Sequence, residues 1–326
     1  MAKIVVIGDS PLSFLVSRQL DQELARLTHV EVTFIRNDLN LYYLPGLKSL
    51  FSPIATSDVS KLLKNVAVKK AAVKQINLKD RRVVTDKASF DYDVLVLDTT
   101  PVFTASDITK IAAQCQRLTQ EAQAKHKTGR SGRWRVLFSG GDVSSWQLAL
   151  SLASDIALHS AAIRQSISIQ TSLPSRPQVK SFLDANQISD QKSLGPIPGL
   201  TVASPNVPVK NRLVRGAMLD AKDNLVVGRD YHPEGHPEVT VVGGHERLMS
   251  NLWRPDQTLA TQVVDNIELY MEGRAQKVHS TSASAGLLTG PNGVLVWIGT
   301  LFSQRLKARA ISSLDRQFYR RLTSKS

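Results

Sequence analysis

Two glycine-containing turns hold the residues whose types and spacing could do chemistry. In "IGDSPLS", Gly8, Ser10 and Ser13 stand at the spacing of G-x-G-x-x-G, directly after an apolar run and before a helix-like one. In that pattern the first glycine makes the tight turn, the second lets the backbone approach a pyrophosphate, and the third lets helix and strand pack closely. Serine fills the second and third places, which leaves two readings: an ordinary strand-turn-helix, or a phosphate-binding turn whose contact has been altered. The second turn, Gly140-Gly141-Asp142-Val143-Ser144-Ser145, follows the run "RWRVLF". Its second motif glycine is Asp142, so a carboxylate stands where a phosphate would sit, and like charge opposes binding.

Other chemistry-bearing types are sparse. Cys115 is the only cysteine, which excludes a disulfide framework, a redox C-x-x-C and a thiolate metal site within the chain. His232 and His236 in "YHPEGHPE" are four apart, but their prolines make a turn and no third ligand stands nearby, so no metal site is expected. Ser144 and Ser145 have no acid-base partner close in sequence. A serine nucleophile has no support.

The elements that must position these turns are legible as apolar periodicities. Lys3–Ile7 reads as a buried strand, residues 11–27 as a helix carrying Leu15, Leu20, Leu24 and Leu27, and "VEVTFI" as a second strand: a βαβ start. Residues 72–100 read as a small meander closing on a buried strand over Val94–Leu97. A helix over 104–127 follows, with Ile108, Ile111, Ala112, Cys115 and Leu118 on one face, which makes Cys115 a core residue. The pattern then restarts with strand "RWRVLF", helix "WQLALSLASDIALH" and strand "SISIQT". Residues 172–210, rich in Pro, Ser, Gln and Lys, show little periodic structure, so this second unit is expected to be short. Strand-like "NLVVG" and "EVTVVGG" and a helix over 258–271 precede an apolar stretch and a basic tail.

Composition gives a folded globular body of two or three domains, with 326 residues, 42% hydrophobic. Lys and Arg number 41 against 28 Asp and Glu, a net charge of +13, which favours polyanionic partners. No nucleic-acid module or aromatic-rich basic groove accompanies it, so nucleic acid is not expected. The basic run "KLLKNVAVKK" reads as a solvated face. With its first strand two residues from Met1, the chain is expected to be cytoplasmic, without a leader; "GVLVWIG" is too short to span a bilayer. In the tail, Ile311, Leu314, Phe318 and Leu322 form one helical stripe, and from Arg305 onward seven basic residues face Asp315, a local net of +6. That composition fits an in-plane membrane anchor, or equally a helix packed on the body.

The order of these features, two glycine turns after strands, a meander ending "YDVLVLDTT", a late "VTVVGG" strand and the helix "NIELYMEGR", resembles the FAD- and NAD(P)-binding oxidoreductases with two dinucleotide domains, most closely type II NADH dehydrogenases. The resemblance implies an α/β fold of two Rossmann-like domains, the first discontinuous (1–102 and 233–275), the second shortened (103–232), with a basic amphipathic helical tail (276–326). It implies FAD bordered by Gly8, Ser10, Ser13, Arg36, Thr99, Gly243 and Gly244, and NAD(P)H bordered by Gly140, Gly141 and Ser145. It further implies quinone as acceptor and attachment of residues 294–326 to an anionic membrane on the cytoplasmic inner face; the alternative for this tail is that it forms a homodimer.

The departures fall at the implied cofactor positions. The acidic residue expected on the ribose hydroxyls is Arg36, which cannot accept those bonds, with Asp38 nearby; Asp9 would oppose an anion at the turn. In the family's Y-D-x-L-V-x-A-T-G, Tyr92, Asp93 and Thr99 match, while Asp98 replaces alanine and Thr100 replaces glycine. The late strand should end Gly-Asp but reads Gly243-Gly244-His245, with Glu246 the nearest carboxylate. Gln147 occupies the place of a glutamate, Thr171, Ser172 and Arg176 could receive a 2′-phosphate, and the quinone-site motif is absent although Gln257 and Gln262 lie close. Two functions follow as expectations: a divergent FAD-dependent NAD(P)H:quinone oxidoreductase, or a cofactor-free pseudoenzyme retained as a protein- or membrane-binding scaffold.

Overall fold

In a computed structural model of the chain, the described residues are 1–23, 29–41, 50–51, 56–128, 135–138, 143–159, 167–169, 177–186, 188–190, 199–202, 210–221, 225–228, 230–243, 253–277, 285–290, 293–298 and 301–303. The chain begins with β1 (Ala2–Ile7), α1 (Pro11–Glu23), β2 (Val30–Arg36), β3 (Asn40–Leu41), β4 (Ser57–Asp58), β5 (Ala67–Lys70), β6 (Val73–Asn77), β7 (Arg82–Thr85), β8 (Ser89–Asp91) and β9 (Val94–Asp98). It continues through α2 (Ala105–Lys127), β10 (Arg135–Phe138), α3 (Val143–His159), β11 (Ile167–Ile169), α4 (Pro177–Ala185), β12 (Ser189–Asp190), β13 (Gly199–Val202) and β14 (Val214–Arg215). The last elements are β15 (Val239–Val242), α5 (Trp253–Met271), β16 (Ala285–Gly290), β17 (Gly293–Ile298) and β18 (Leu301–Ser303).

A parallel sheet in the order β15-β9-β1-β2-β5 forms the first unit. Its central strands read as unbroken apolar runs because both faces are covered. One face, with Ile4, Val6, Phe34 and Val96, packs on α1 and α5. The other, with Val5, Ile7, Leu95 and Leu97, packs on the meander of β6, β7 and β8, which β14 joins alongside β6. Val214 and Leu225, grouped by sequence with the second unit, pack with the first: Val214 pairs with Ile76, and Leu225 lies in the same core.

The second unit is a parallel sheet in the order β12-β11-β10-β13. Its core joins Ile108, Ile111 and Cys115 of α2 to Trp146, Leu148, Leu150 and Leu152 of α3 and Val179, Phe182 and Leu183 of α4. Where 172–210 is expected to show little periodic structure, it holds α4, β12 and β13, and positions 179, 182 and 183 carry a short helical stripe that buries on the core. Helix α3 is apolar almost all round, as a helix covered on opposite sides must be. Strands β10 and β11 lie on one side and β16 on another. The apolar stretch near 290 is thus part of an antiparallel three-stranded sheet, β16-β17-β18, with Leu295 fully buried in the second unit's core. The basic segment 304–326 lies outside the described residues.

Candidate functional site

The carboxyl ends of β1, β2, β9 and β15 meet at one edge of the first sheet, the side on which ligands bind in open α/β folds. Ser10 caps α1: its hydroxyl accepts from Leu12 N (3.0 Å) and Ser13 N (3.4 Å), while the Ser13 hydroxyl turns back onto Ser10 O (2.9 Å). Asp98, the last residue of β9, is fully buried and faces this cap. The Ser10 hydroxyl donates to Asp98 Oδ2, and Thr100 N donates to Asp98 Oδ1 at 2.9 Å. Burial pushes the Asp98 carboxyl upward from its ordinary range, and the donors Ser10, Thr100 and Ser13 pull it back in part.

Gly8 and Gly243 close on the same group. A Cβ on Gly8 would lie 2.6 Å from Asp98 Cβ, 2.8 Å from Ser13 Oγ and 2.9 Å from Asp98 Oδ2. Gly243, at φ +84°, could take a Cβ only by overlapping Thr100 Oγ1 and coming within 2.7 Å of Thr100 N and 2.9 Å of Asp98 Oδ1. Thr99 ties the edge together, donating from N to Val242 O (2.8 Å) and from its hydroxyl to Gly243 O (2.9 Å). The structure therefore brings Gly8, Ser10, Ser13, Thr99 and Gly243 into one cluster, with Asp98 at its centre.

At the end of β2, Arg36 is 2% exposed and lies over the Phe34 ring at 5.1 Å. It donates to Asp9 O (2.9 Å) and Asp38 O (2.8 Å), and its Nε stands 3.9 Å from Asp9 Oδ1. Asp9 does not face the helix end as the sequence reading has it. Its carboxylate accepts from Asn37 N (2.9 Å), Asn37 Nδ2 (2.7 Å) and Asp38 N (3.3 Å), because the β2 loop offers it three donors. Asp38 in turn accepts from Asn40 N and Nδ2.

The matching half of the "YDVLVLDTT" motif lies at the opposite end of β9. Asp93 accepts from Lys3 N at 2.7 Å and Tyr92 is buried against the meander, so both serve the fold at this end. Glu238 is buried here, bonded to His236 Nδ1 at 3.0 Å with Arg81 Nη2 at 3.8 Å. Burial, with the Glu238 charge, holds the Tyr92 hydroxyl well above its ordinary range. His232 Nδ1 lies 2.6 Å from Val239 O in a turn, as its prolines imply. No group of three metal-ligating side chains occurs among the described residues.

In the second unit, Gly140, Gly141 and Asp142, like Gly244 in the first, lie outside the described residues. Ser145 and Gln147 are buried on α3, with Gln147 Nε2 directed at Ser151 Oγ (3.3 Å). Cys115 is a core thiol, pushed up to about 12 by burial and by Asp155. Two buried aspartates escaped the sequence reading. Asp155 accepts from Leu50 N (2.6 Å) and Phe51 N (3.0 Å), fastening residues 50–51 onto α3. Asp21 accepts from Lys64, Asn65 and Val66 N. An aspartate inside an amphipathic helix reads as solvated; only its tertiary neighbours show otherwise.

No protein-family model matches the chain, and no curated protein matches it in sequence. Solved structures do. Sulfide:quinone oxidoreductase from Aquifex aeolicus superposes with a TM-score of 0.73 at 13% identity, over 98% of this chain and 91% of that one. The chain shares its fold with oxidoreductases of known structure. NDH2 from Plasmodium falciparum in complex with NADH agrees at a TM-score of 0.62 and 11% identity, covering 99% and 95% of the two chains. A chain of the Tetrahymena thermophila mitochondrial ATP synthase also carries this fold, at 0.63 and 13%, over 100% and 94%. Among the described residues no helix is long and apolar enough to cross a membrane.

Proposed function

We propose that this chain is a cofactor-free scaffold with the oxidoreductase fold, recruited to an anionic membrane surface. The observation that carries the first half is the Arg36–Asp9 pair. Dinucleotide binding in this fold uses an acidic acceptor at the end of the second strand for the ribose hydroxyls. A buried arginine fastened to Asp9 O and Asp38 O occupies that end, and the Asp9 and Asp38 carboxylates both already accept from donors of the loop after β2. The residues present do not fit FAD in the fold's usual manner, and no step is derived through it. The ATP synthase chain supports the reading: there the same fold stands within a large assembly.

The membrane half rests on charge. The net +13 and the local +6 beyond Arg305 both favour an anionic surface. Leu295 is buried and β17 and β18 pair within the three-stranded sheet, so the docking segment we propose is the basic part of 294–326 from Arg305 onward. The scaffold reading is tested by expressing the full chain with added FAD and measuring flavin released on denaturation. Little or no flavin is expected, and stoichiometric flavin overturns it. Removing residues 305–326 should abolish binding to vesicles containing anionic lipid; unchanged binding overturns the docking segment.

The flavoenzyme reading keeps one observation, the fit over nearly the full length of sulfide:quinone oxidoreductase. Bound flavin bleached by NADH or NADPH and reoxidised by a quinone would establish it.

A further inference from the structure

We infer that the Asp98 carboxyl is the built-in occupant of the pyrophosphate position, and that this side chain decides whether the first turn takes a phosphate-bearing ligand. The inference rests on the scaffold reading but on a different observation: the packing around Asp98, not the chemistry of Arg36.

Three features place the group. Asp98 ends β9, which is flanked by β1 and β15, with Leu97 opposite Ile7 and Val242 opposite Asp98. Its two oxygens face two glycines, Oδ2 toward Gly8 and Oδ1 toward Gly243, at approaches that leave no room for a methyl group. Its donors are those of a phosphate cradle: a backbone N–H from Thr100 and the hydroxyl of the residue that caps α1. A helix start with small residues at its turn offers such donors to an anion. Here Ser10 Oγ already takes the Leu12 and Ser13 N–H groups of the helix start and itself donates to Asp98, which also holds Thr100 N, so an incoming phosphate would find the space filled and the donors engaged. Protonated or ionised, the carboxyl fills this place, because volume and hydrogen bonds act in both states.

Alanine at 98 removes the carboxyl and frees Ser10 Oγ and Thr100 N. The full chain carrying Asp98→Ala should therefore lose thermal stability in chloride and regain it, saturably, with inorganic pyrophosphate at fixed ionic strength. Its affinity for pyrophosphate by calorimetry should exceed the wild type's by about tenfold or more. Asp98→Ser, which removes the carboxylate and opens part of its space but keeps one oxygen for the network, should show a smaller gain in the same direction and serves if Asp98→Ala does not fold. Pyrophosphate binding equal to wild type in a variant that is folded by circular dichroism overturns the inference, leaving Asp98 a strut between strand ends. That result is distinct from failure of the scaffold reading, which flavin in the wild-type protein would reveal.

Discussion

The two ends of β9 face opposite fates. At its amino end, Tyr92 and Asp93 keep the residues of the dinucleotide-fold motif, and both serve the backbone: Asp93 holds Lys3 N and Tyr92 fills the core beneath the meander. At its carboxyl end, Asp98 and Thr100 depart from the motif; Asp98 is fully buried and Thr100 half-buried, and both pack against Gly8, Ser10 or Gly243. Tyr92, Asp93 and Thr99 keep the motif and bond or pack on the backbone around them, while Asp98 and Thr100, which depart from it, carry the side-chain network of the turn. On the scaffold reading, the fold is kept whole while its crevice is filled by the protein's own side chains. In a ligand-holding protein the crevice residues act mainly through the ligand, and their replacement costs the free protein little. If the crevice is core, substitutions there should cost what core substitutions cost.

The sharpest test of that comparison is Gly243→Ala. The positive φ costs about 1–2 kcal/mol for an L side chain. The overlap with Thr100, part of it backbone, adds roughly 1–3 kcal/mol. A loss of about 2–5 kcal/mol is expected from urea melts of the full chain. A loss under about 1 kcal/mol would mean that this edge yields freely and is not packed as core. Arg36→Met comes next. It removes three polar contacts from a buried side chain while keeping its apolar stem, and Asp9 retains Asn37 and Asp38 as donors. Roughly 2 kcal/mol should be lost. An unchanged midpoint would return Arg36 to the category of a loop residue and remove the main support for the closed ribose end.

How far each end was legible follows from the range of its interactions. Strands β1, β2 and β9 and helices α1, α3 and α5 stood out because their apolar periods are local. Helix α4 did not, since three apolar positions at 179, 182 and 183 were outweighed by the surrounding Pro, Ser and Gln. The closure of the crevice lay beyond sequence reasoning for a different reason. Ser10 meets Asp98 across 88 positions, and Asn37 meets Asp9 across 28. Periodicity carries no trace of such pairs, so Asp9 read as a charge facing a helix end when it is a clamp on the next strand's loop.

Asp98→Asn adds a pH test at the same edge. Burial raises the Asp98 carboxyl in the folded protein, so as pH climbs past the ordinary carboxyl value of 3.8 the unfolded chain releases this proton first. Wild-type stability from this group is complete below that pH and declines above it, by up to about 1.4 kcal/mol per pH unit, until the folded carboxyl also ionises. Asparagine has no proton to lose. The stability of Asp98→Asn relative to wild type should therefore improve as pH rises from about 4 toward neutrality; a gap independent of pH would place Asp98 in a solvated setting and contradict its burial.

The smallest effect belongs to the unaltered end. Among the described residues the Tyr92 hydroxyl is buried and has no hydrogen-bond partner, while Glu238 close by makes its ionised form still less favourable. A desolvated hydroxyl without a partner costs stability, so Tyr92→Phe removes a penalty and keeps the ring in the core shared with Val5, Leu95 and Val239. Melts of Tyr92→Phe should match wild type or exceed it by up to about 1 kcal/mol. A clear loss would show that the hydroxyl holds a hydrogen bond, to Glu238 or to water. The motif residue at the base would then be a polar strut like Asp98, and the contrast between the two ends of β9 would rest on the identity of their partners alone.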